Sequence, residues 1–171
     1  MSSLREYKRK RDFKITKEPR GTRTARTRPA AGTGIFVVQE HHARRLHWDF
    51  RLEAEGVLKS WAVTKEPSPS VGVRRLAIET EDHPLDYAQF EGEIPKHEYG
   101  AGRVAIWDHG KYEAIKPVAR SMEDGLVEVF LKGSKLKGRF VLVRTRGEGA
   151  KAQWLFFKAK PKIARLKIPE V

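Results

Sequence analysis

From Ile35 onward the apolar positions fall in short β-rich runs separated by polar or turn-forming residues, with few long segments of 3.6-residue period. IFVVQ, LHWDFRLEA, VLKSWAV, RLAIE, RVAIWD, LVEVFL, GRFVLVRTR and QWLFFKA read as β-strands divided by glycine, proline or charged turns. This spacing predicts a mainly β fold, a compact antiparallel β-barrel or a strongly curved sheet. Helix is expected only within residues 3–11 and near 118–123, which makes the helices short and flanking. Residues 1–34 hold few apolar side chains and many breakers, ending in RGTRTARTRPAAGTG. They read as a basic, partly mobile N-terminal arm, followed by one barrel domain over 35–171. No internal repeat or second domain is visible.

The stretch HHARRLHWDFRLE, residues 41–53, departs from the other strands in its chemistry. From His47 it alternates strictly, with Trp48, Phe50 and Leu52 on one side and His47, Asp49, Arg51 and Glu53 on the other. Because successive strand side chains point to opposite faces, an apolar ridge is buried while imidazole, carboxylate and guanidinium share the second face. A solvated edge strand would also alternate, and a single His-x-Asp pair is commonly a surface hydrogen bond. His41 changes the picture: Ala43-Arg44-Arg45 is a short polar break that can return the chain to the same face. Two imidazoles and one carboxylate form an open N/O ligand set for a divalent cation. Arg51 beside them offers a planar fork for a phosphate.

Charge narrows the partner. The 171 residues carry 35 Lys and Arg against 22 Asp and Glu, a formal net charge of +13. Residues 1–34 hold 11 basic and 3 acidic side chains, so the excess is concentrated in the arm. Such a balance favours a polyanion, nucleic acid above all, although solubility explains a basic tail equally simply. The absence of cysteine excludes disulfides and thiolate sites. No run approaches a membrane span or signal-peptide core, so a soluble cytoplasmic, nucleoid-associated protein is expected.

Further polar clusters follow. AIETEDHPLDY places His83 and Tyr87 near Glu81 and Asp82, and Pro84 biases His83 toward extended backbone. A satisfied loop histidine would look the same. Tyr99-Gly100-Ala101-Gly102 lacks phosphate-loop spacing and reads as a tight turn into the next strand. His97 and His109 read as turn or surface residues. Lys65 and Arg74-Arg75 extend a positive rim, or are ordinary solvated charges.

FVVQEHHARRLHWDFRLE, LKSWAVTKEPS, EDHPLDYAQFEGEIP and YGAGRVAIWDHGKYE together resemble the 3′-phosphoesterase module of bacterial ATP-dependent DNA ligase D and its stand-alone relatives. The likeness covers nearly the whole chain, including Arg11-Asp12-Phe13 and Glu18. His97 stands where the family usually has glycine, and no Lys-x-Asp-Gly ligase motif is present. The resemblance implies a stand-alone phosphoesterase or a module of a larger chain.

What the resemblance implies is manganese-dependent healing of DNA 3′ ends in repair by non-homologous end joining. A 3′-terminal ribonucleoside is removed to leave a 3′-phosphate, which is then hydrolysed to a 3′-hydroxyl. Carried over by position, His41, His47 and Asp49 become metal ligands, and Arg51, His83 and Tyr87 surround the scissile phosphate as the catalytic set. Lys65 and Arg75 become further phosphate contacts, with Gln39, Glu81, Arg11, Asp12 and Glu18 supporting. Candidate partners are DNA ligase, polymerase and the end-binding protein Ku. Two rivals remain: a non-catalytic nucleic-acid-binding β-barrel, which would expose aromatics for stacking, and a hydrolase of small phosphate esters, which would not need the arm.

Overall fold

The computed structural model describes residues 4–21 and 32–161. The remainder of the expected arm, residues 1–3 and 22–31, and the chain after residue 161 lie outside the described residues. A short helix α1 (Arg5–Arg9) is followed by strands β1 (Thr33–His42), β2 (Leu46–Ala54), β3 (Val57–Val63) and β4 (Arg75–Pro84). A single 3-10 turn (Leu85–Gln89) leads to β5 (Gly92–Ile94) and the long β6 (Gly102–Glu113). Helix α2 (Val118–Asp124) then precedes β7 (Leu126–Lys132), β8 (Lys137–Arg146) and β9 (Gln153–Lys158).

Every strand pairing is antiparallel, and the order β1-β2-β3-β4-β9-β8-β7-β6 closes through a β1–β6 pairing. The eight closing strands carry the eight runs read from the sequence, and both helices fall where helix was expected. The three-residue β5, paired only to the first residues of β6, carries too little pattern to be read in advance. β6 serves β5 at one end and β7 at the other while lying along β1. Gly110 permits this, because a Cβ there would stand 2.2 Å from the Lys132 carbonyl oxygen.

Two apolar clusters lie on opposite sides of the barrel wall. The inner one holds Trp48, Phe50 and Leu52 of β2 with Trp61, Phe140, Trp154 and Phe156. The Phe50 and Phe156 rings are 4.6 Å apart, and Trp61 meets Trp154 edge-on at 5.8 Å. Among the described residues the barrel interior is filled by packed aromatic and aliphatic side chains. The outer cluster joins Val37, Leu58 and Val104 to Tyr7 of α1, to Tyr87 and Ala88 of the 3-10 turn, and to Phe90 and Ile94. Residues 4–21 and 84–101 therefore roof the outer face of β1–β3, the face that carries His41, His47, Asp49 and Arg51.

Candidate metal and phosphate site

The β1–β2 register fixes the site. His41 pairs with His47 and Gln39 with Asp49 across the hairpin, so four outer-face positions meet in two adjacent rungs. The three-residue link Ala43–Arg45 is what returns the chain in this register. The ligand atoms of His41, His47 and Asp49 lie within 4.8 Å of one another. His41 Nδ1 and His47 Nε2 stand 3.4 and 3.2 Å from the same Asp49 oxygen, Oδ2.

The opposite ring nitrogens are engaged by backbone. His41 Nε2 donates to the Gly100 carbonyl at 2.6 Å, and His47 Nδ1 donates to the Arg45 carbonyl at 3.0 Å. These bonds fix the hydrogen-bearing nitrogen of each neutral ring and leave His41 Nδ1 and His47 Nε2 facing the carboxylate, the outer-sphere arrangement typical of histidine ligands. A proton on His47 Nε2 instead bonds that ring to Asp49. Gly100 has φ +76, and a Cβ there would meet His41 Cε1 at 3.3 Å, so this turn needs glycine both for its backbone and for the imidazole's approach. The donor set, two nitrogens and one carboxylate oxygen with open positions, fits a divalent transition ion. Burial opposes charge on His47, but the Asp49 hydrogen bond and carboxylate outweigh it and hold its pKa above the ordinary value. Burial likewise opposes charge on Asp49, yet Arg51, His41 and His47 hold its carboxyl well below the usual carboxylate range.

Arg51 is buried beside the cluster. Its Nε donates to Gln39 Oε1 at 2.7 Å, its Nη1 to Ser60 Oγ at 2.9 Å, and its Nη2 stands 3.6 Å from Asp49 Oδ2. Gln39 is held in turn by its amide, which donates to the Tyr87 and Phe90 carbonyls at 2.7 and 3.1 Å. The guanidinium keeps Nη2 and one Nη1 hydrogen for an anion. It also lies 4.8 Å over the Tyr87 ring. His83, buried between the Tyr7 and Tyr87 rings, donates from Nδ1 to the Glu81 carbonyl at 2.9 Å. Burial, then Arg51 and Arg11, push its pKa well below the ordinary histidine value, so the imidazole is neutral with Nε2 as its lone-pair atom.

The arm completes the wall. Glu18, 3 % exposed, accepts from Tyr87 Oη at 2.6 Å, Arg11 Nε at 3.0 Å and Thr16 Oγ1 at 2.9 Å. Arg11 also stands 3.6 Å from Glu81, whose second oxygen accepts from Lys10 Nζ at 3.1 Å. Burial, then Arg51's charge working the other way and Glu18's supporting it, leave the Tyr87 phenol well above its ordinary pKa.

Comparison with known proteins places most of this chain in one family. The family model described as the DNA ligase D 3′-phosphoesterase domain matches residues 39–144. The chain belongs to that family. It is 48 % identical over 162 residues to the multifunctional non-homologous end joining protein LigD of Pseudomonas aeruginosa, covering 95 % of this chain and 19 % of the relative. It is 49 % identical over 158 residues to the multifunctional non-homologous end joining DNA repair protein LigD of Mycobacterium tuberculosis, covering 92 % of this chain and 20 % of the relative. The LigD of Mycolicibacterium smegmatis is 43 % identical over 163 residues, covering 92 % of this chain and 20 % of that protein. The chain spans about a fifth of the length of these curated relatives.

The sequence-predicted positions of this phosphoesterase-family chain divide into two sets. Gln39, His41, His47, Asp49, Arg51, Glu81, His83, Tyr87, Arg11 and Glu18 share one connected, mostly buried cluster. Asp12 does not join it: the side chain is exposed and accepts from the Lys14 amide at 3.0 Å within its own turn. Lys65 is exposed just past β3, and Arg75 at the start of β4 donates from Nε to the Glu66 carbonyl at 2.7 Å. Among the described residues no hydrogen bond ties this pair to the cluster. His97 is exposed at φ 73, in the left-handed region that glycine occupies without strain. Ser60, Tyr7 and the Gly100 carbonyl are participants that the sequence reading missed. Only Ser60 left a signal, as a small polar residue within VLKSWAV, where it pairs across the strands with Arg51.

Among the described residues no helix is long and apolar enough to cross a membrane.

Proposed function

We propose that the cluster is the catalytic centre of a manganese-dependent phosphoesterase that heals DNA 3′ ends in non-homologous end joining. It would remove a 3′-terminal ribonucleoside and then hydrolyse the 3′-phosphate left behind. The observation that carries this reading is the convergence of His41, His47 and Asp49 on one point, with the Arg51 guanidinium fixed 3.6 Å from the shared carboxylate oxygen. Family membership supports the reaction class, and the relatives' names supply the repair context.

His41, His47 and Asp49 would hold the ion, which supplies Lewis-acid polarisation of a phosphoryl oxygen and a lowered pKa for water. Arg51 offsets charge on the phosphoryl oxygens from a position set by Gln39 and Ser60, so little reorganisation is needed as charge develops. His83 is neutral before substrate arrives. A bound phosphate counters the Arg51 and Arg11 charges that depress its pKa, so Nε2 can take a proton and pass it to the leaving oxygen. Tyr87, locked as a phenol by Glu18, remains a hydrogen-bond donor. Glu81 and Glu18 keep Arg11 and Lys10 in place, while Lys65 and Arg75 add positive charge at the rim. DNA ligase, polymerase and Ku are the partners that this role would bring to the same DNA end.

A primer–template ending in one ribonucleotide, incubated with manganese, tests the reading. Loss of the terminal ribonucleoside followed by appearance of a 3′-hydroxyl is the expected course. Binding without cleavage would leave a nucleic-acid-binding barrel, and cleavage of a small phosphate ester alone would leave a general phosphatase.

A further inference from the structure

Tyr99 is 48 % exposed, and no other aromatic residue among the described residues is as open to solvent. It sits at the lip of the cluster, one residue before the Gly100 carbonyl that holds His41. Its hydroxyl accepts from Lys10 Nζ at 3.3 Å, and the same ammonium stands 4.5 Å from the ring centroid. The Arg11 guanidinium lies 5.4 Å from that centroid. The ring is thus held by the arm beside the turn that orients His41, a residue that would hold the metal. A single exposed aromatic needs no explanation by itself. Placed next to the turn that holds His41 and half exposed, it offers a flat apolar surface where a chain gripped by its phosphate would next present a base.

We propose that Tyr99 is the stacking platform for the nucleobase at the 3′ end of the DNA. The inference rests on the phosphoesterase reading of the cluster and adds what that reading lacks, an element that touches the nucleoside rather than the phosphate. Base–aromatic stacking tolerates any sequence, because every base has a π-face, which suits an enzyme acting on DNA ends.

The test uses Tyr99→Leu and Tyr99→Phe in the full chain with three primer–templates: a terminal ribonucleotide, the same terminus with an abasic ribose, and a terminal ribonucleotide carrying 2-aminopurine. Tyr99→Leu should lower cleavage of the base-bearing end by roughly tenfold and leave the abasic end within about twofold of wild type. Tyr99→Phe, which keeps the ring and loses only the Lys10 bond, should match wild type on both. Equal loss on the two ends, or a Tyr99→Phe defect as large as that of Tyr99→Leu, would overturn the platform and make Tyr99 a pin for the arm. Quenching of 2-aminopurine on metal-free binding should occur with wild type and be lost with Tyr99→Leu; no quenching with wild type would refute stacking. This binding signal is independent of turnover, so an inactive protein that still quenches would sink the phosphoesterase reading and leave the platform standing.

Discussion

The inner and outer faces of the β1–β2 hairpin are both nearly closed to solvent, yet they are built from opposite chemistry. Phe50 and Leu52 are 0 % exposed on the inner face, and Asp49 and Arg51 are 7 % and 3 % exposed on the outer one. Inside, burial needs only shape, and aromatic rings supply it. Outside, buried polar groups have to find partners, and these are drawn from several elements: Arg51 is held by Gln39 across the hairpin and by Ser60 of β3, and His41 by the Gly100 carbonyl from the turn before β6. Alternation in a strand therefore separates chemistry from packing, and does not separate exposed from buried.

Breaking the outer face should abolish activity while the barrel survives. His47→Ala or Asp49→Asn removes one of the three proposed protein ligands, so both proposed reactions and manganese binding by calorimetry should disappear, with the far-ultraviolet circular dichroism unchanged. Wild-type turnover at saturating manganese in either variant would sink the ligand assignment. A chelator should stop wild-type turnover and added manganese should restore it. The matching cut on the inner face, Phe50→Ala, should cost about 3–5 kcal/mol in urea unfolding, because the cavity opens among Phe156 and Trp61 and cannot collapse fully.

The arm connects the two comparisons. A count of charges treats Arg11 and Glu18 as solvated tail residues, but their side chains are 4 % and 0 % exposed. Removing one partner of a buried pair leaves the other uncompensated, so Glu18→Ala should weaken docking of residues 4–21 by roughly 3 kcal/mol. Faster tryptic cleavage after Arg11 would report it; cleavage at the wild-type rate would refute the clamp. Deleting residues 1–34 should reduce cleavage more than DNA binding, since Arg11, Glu18 and Tyr7 leave together. The slope of log affinity against log salt should flatten by about 0.9 for each DNA phosphate that the arm neutralises, and an unchanged slope would assign the arm's charge to solubility.

The barrel was legible because its closing strands are short β-rich runs bounded by glycine, proline or charged turns, and β2 displayed its polar face through a two-residue period from His47. The roof was not. Tyr7 and Phe13 are too few to announce a docking segment, and Glu18 reaches Tyr87 across 69 residues. Backbone carbonyls such as those of Arg45 and Gly100 leave no trace in residue identity, although they orient both histidines.

His83 gives the outer face a pH signature that the inner face lacks. Its folded pKa is depressed by burial and then by Arg51 and Arg11, whereas in the unfolded chain it returns to about 6.5. Below that pH the unfolded chain takes up a proton that the fold refuses. The stability contributed is complete above about pH 6.5 and is lost as pH falls toward the folded value, by up to about 1.4 kcal/mol per unit. Metal-free wild type should lose stability between pH 6.5 and 5 faster than His83→Asn; parallel curves would mean that His83 protonates in place. Asp49 acts in the same sense only nearer pH 4 and below, outside this window.

The smallest effect expected lies at the edge of the roof. His97 holds φ 73 on an exposed turn, where a Cβ crowds its own backbone, and among the described residues no hydrogen bond ties its ring down. For an L-residue this conformation costs on the order of 1–2 kcal/mol, and glycine removes the clash while adding freedom to the unfolded chain. The two terms oppose each other, so His97→Gly should stabilise by about 0.5–1 kcal/mol in urea unfolding. The gain should be local, because Pro95 and Glu98 close the turn through backbone at 3.1 Å whatever side chain stands at 97. Hydrogen exchange at Glu98 and Ala101 should slow while the Phe50 amide stays unchanged. A loss of stability would mean that the imidazole makes a contact that outweighs the strain, and manganese affinity would then have to be remeasured, since the same turn carries the Gly100 carbonyl to His41.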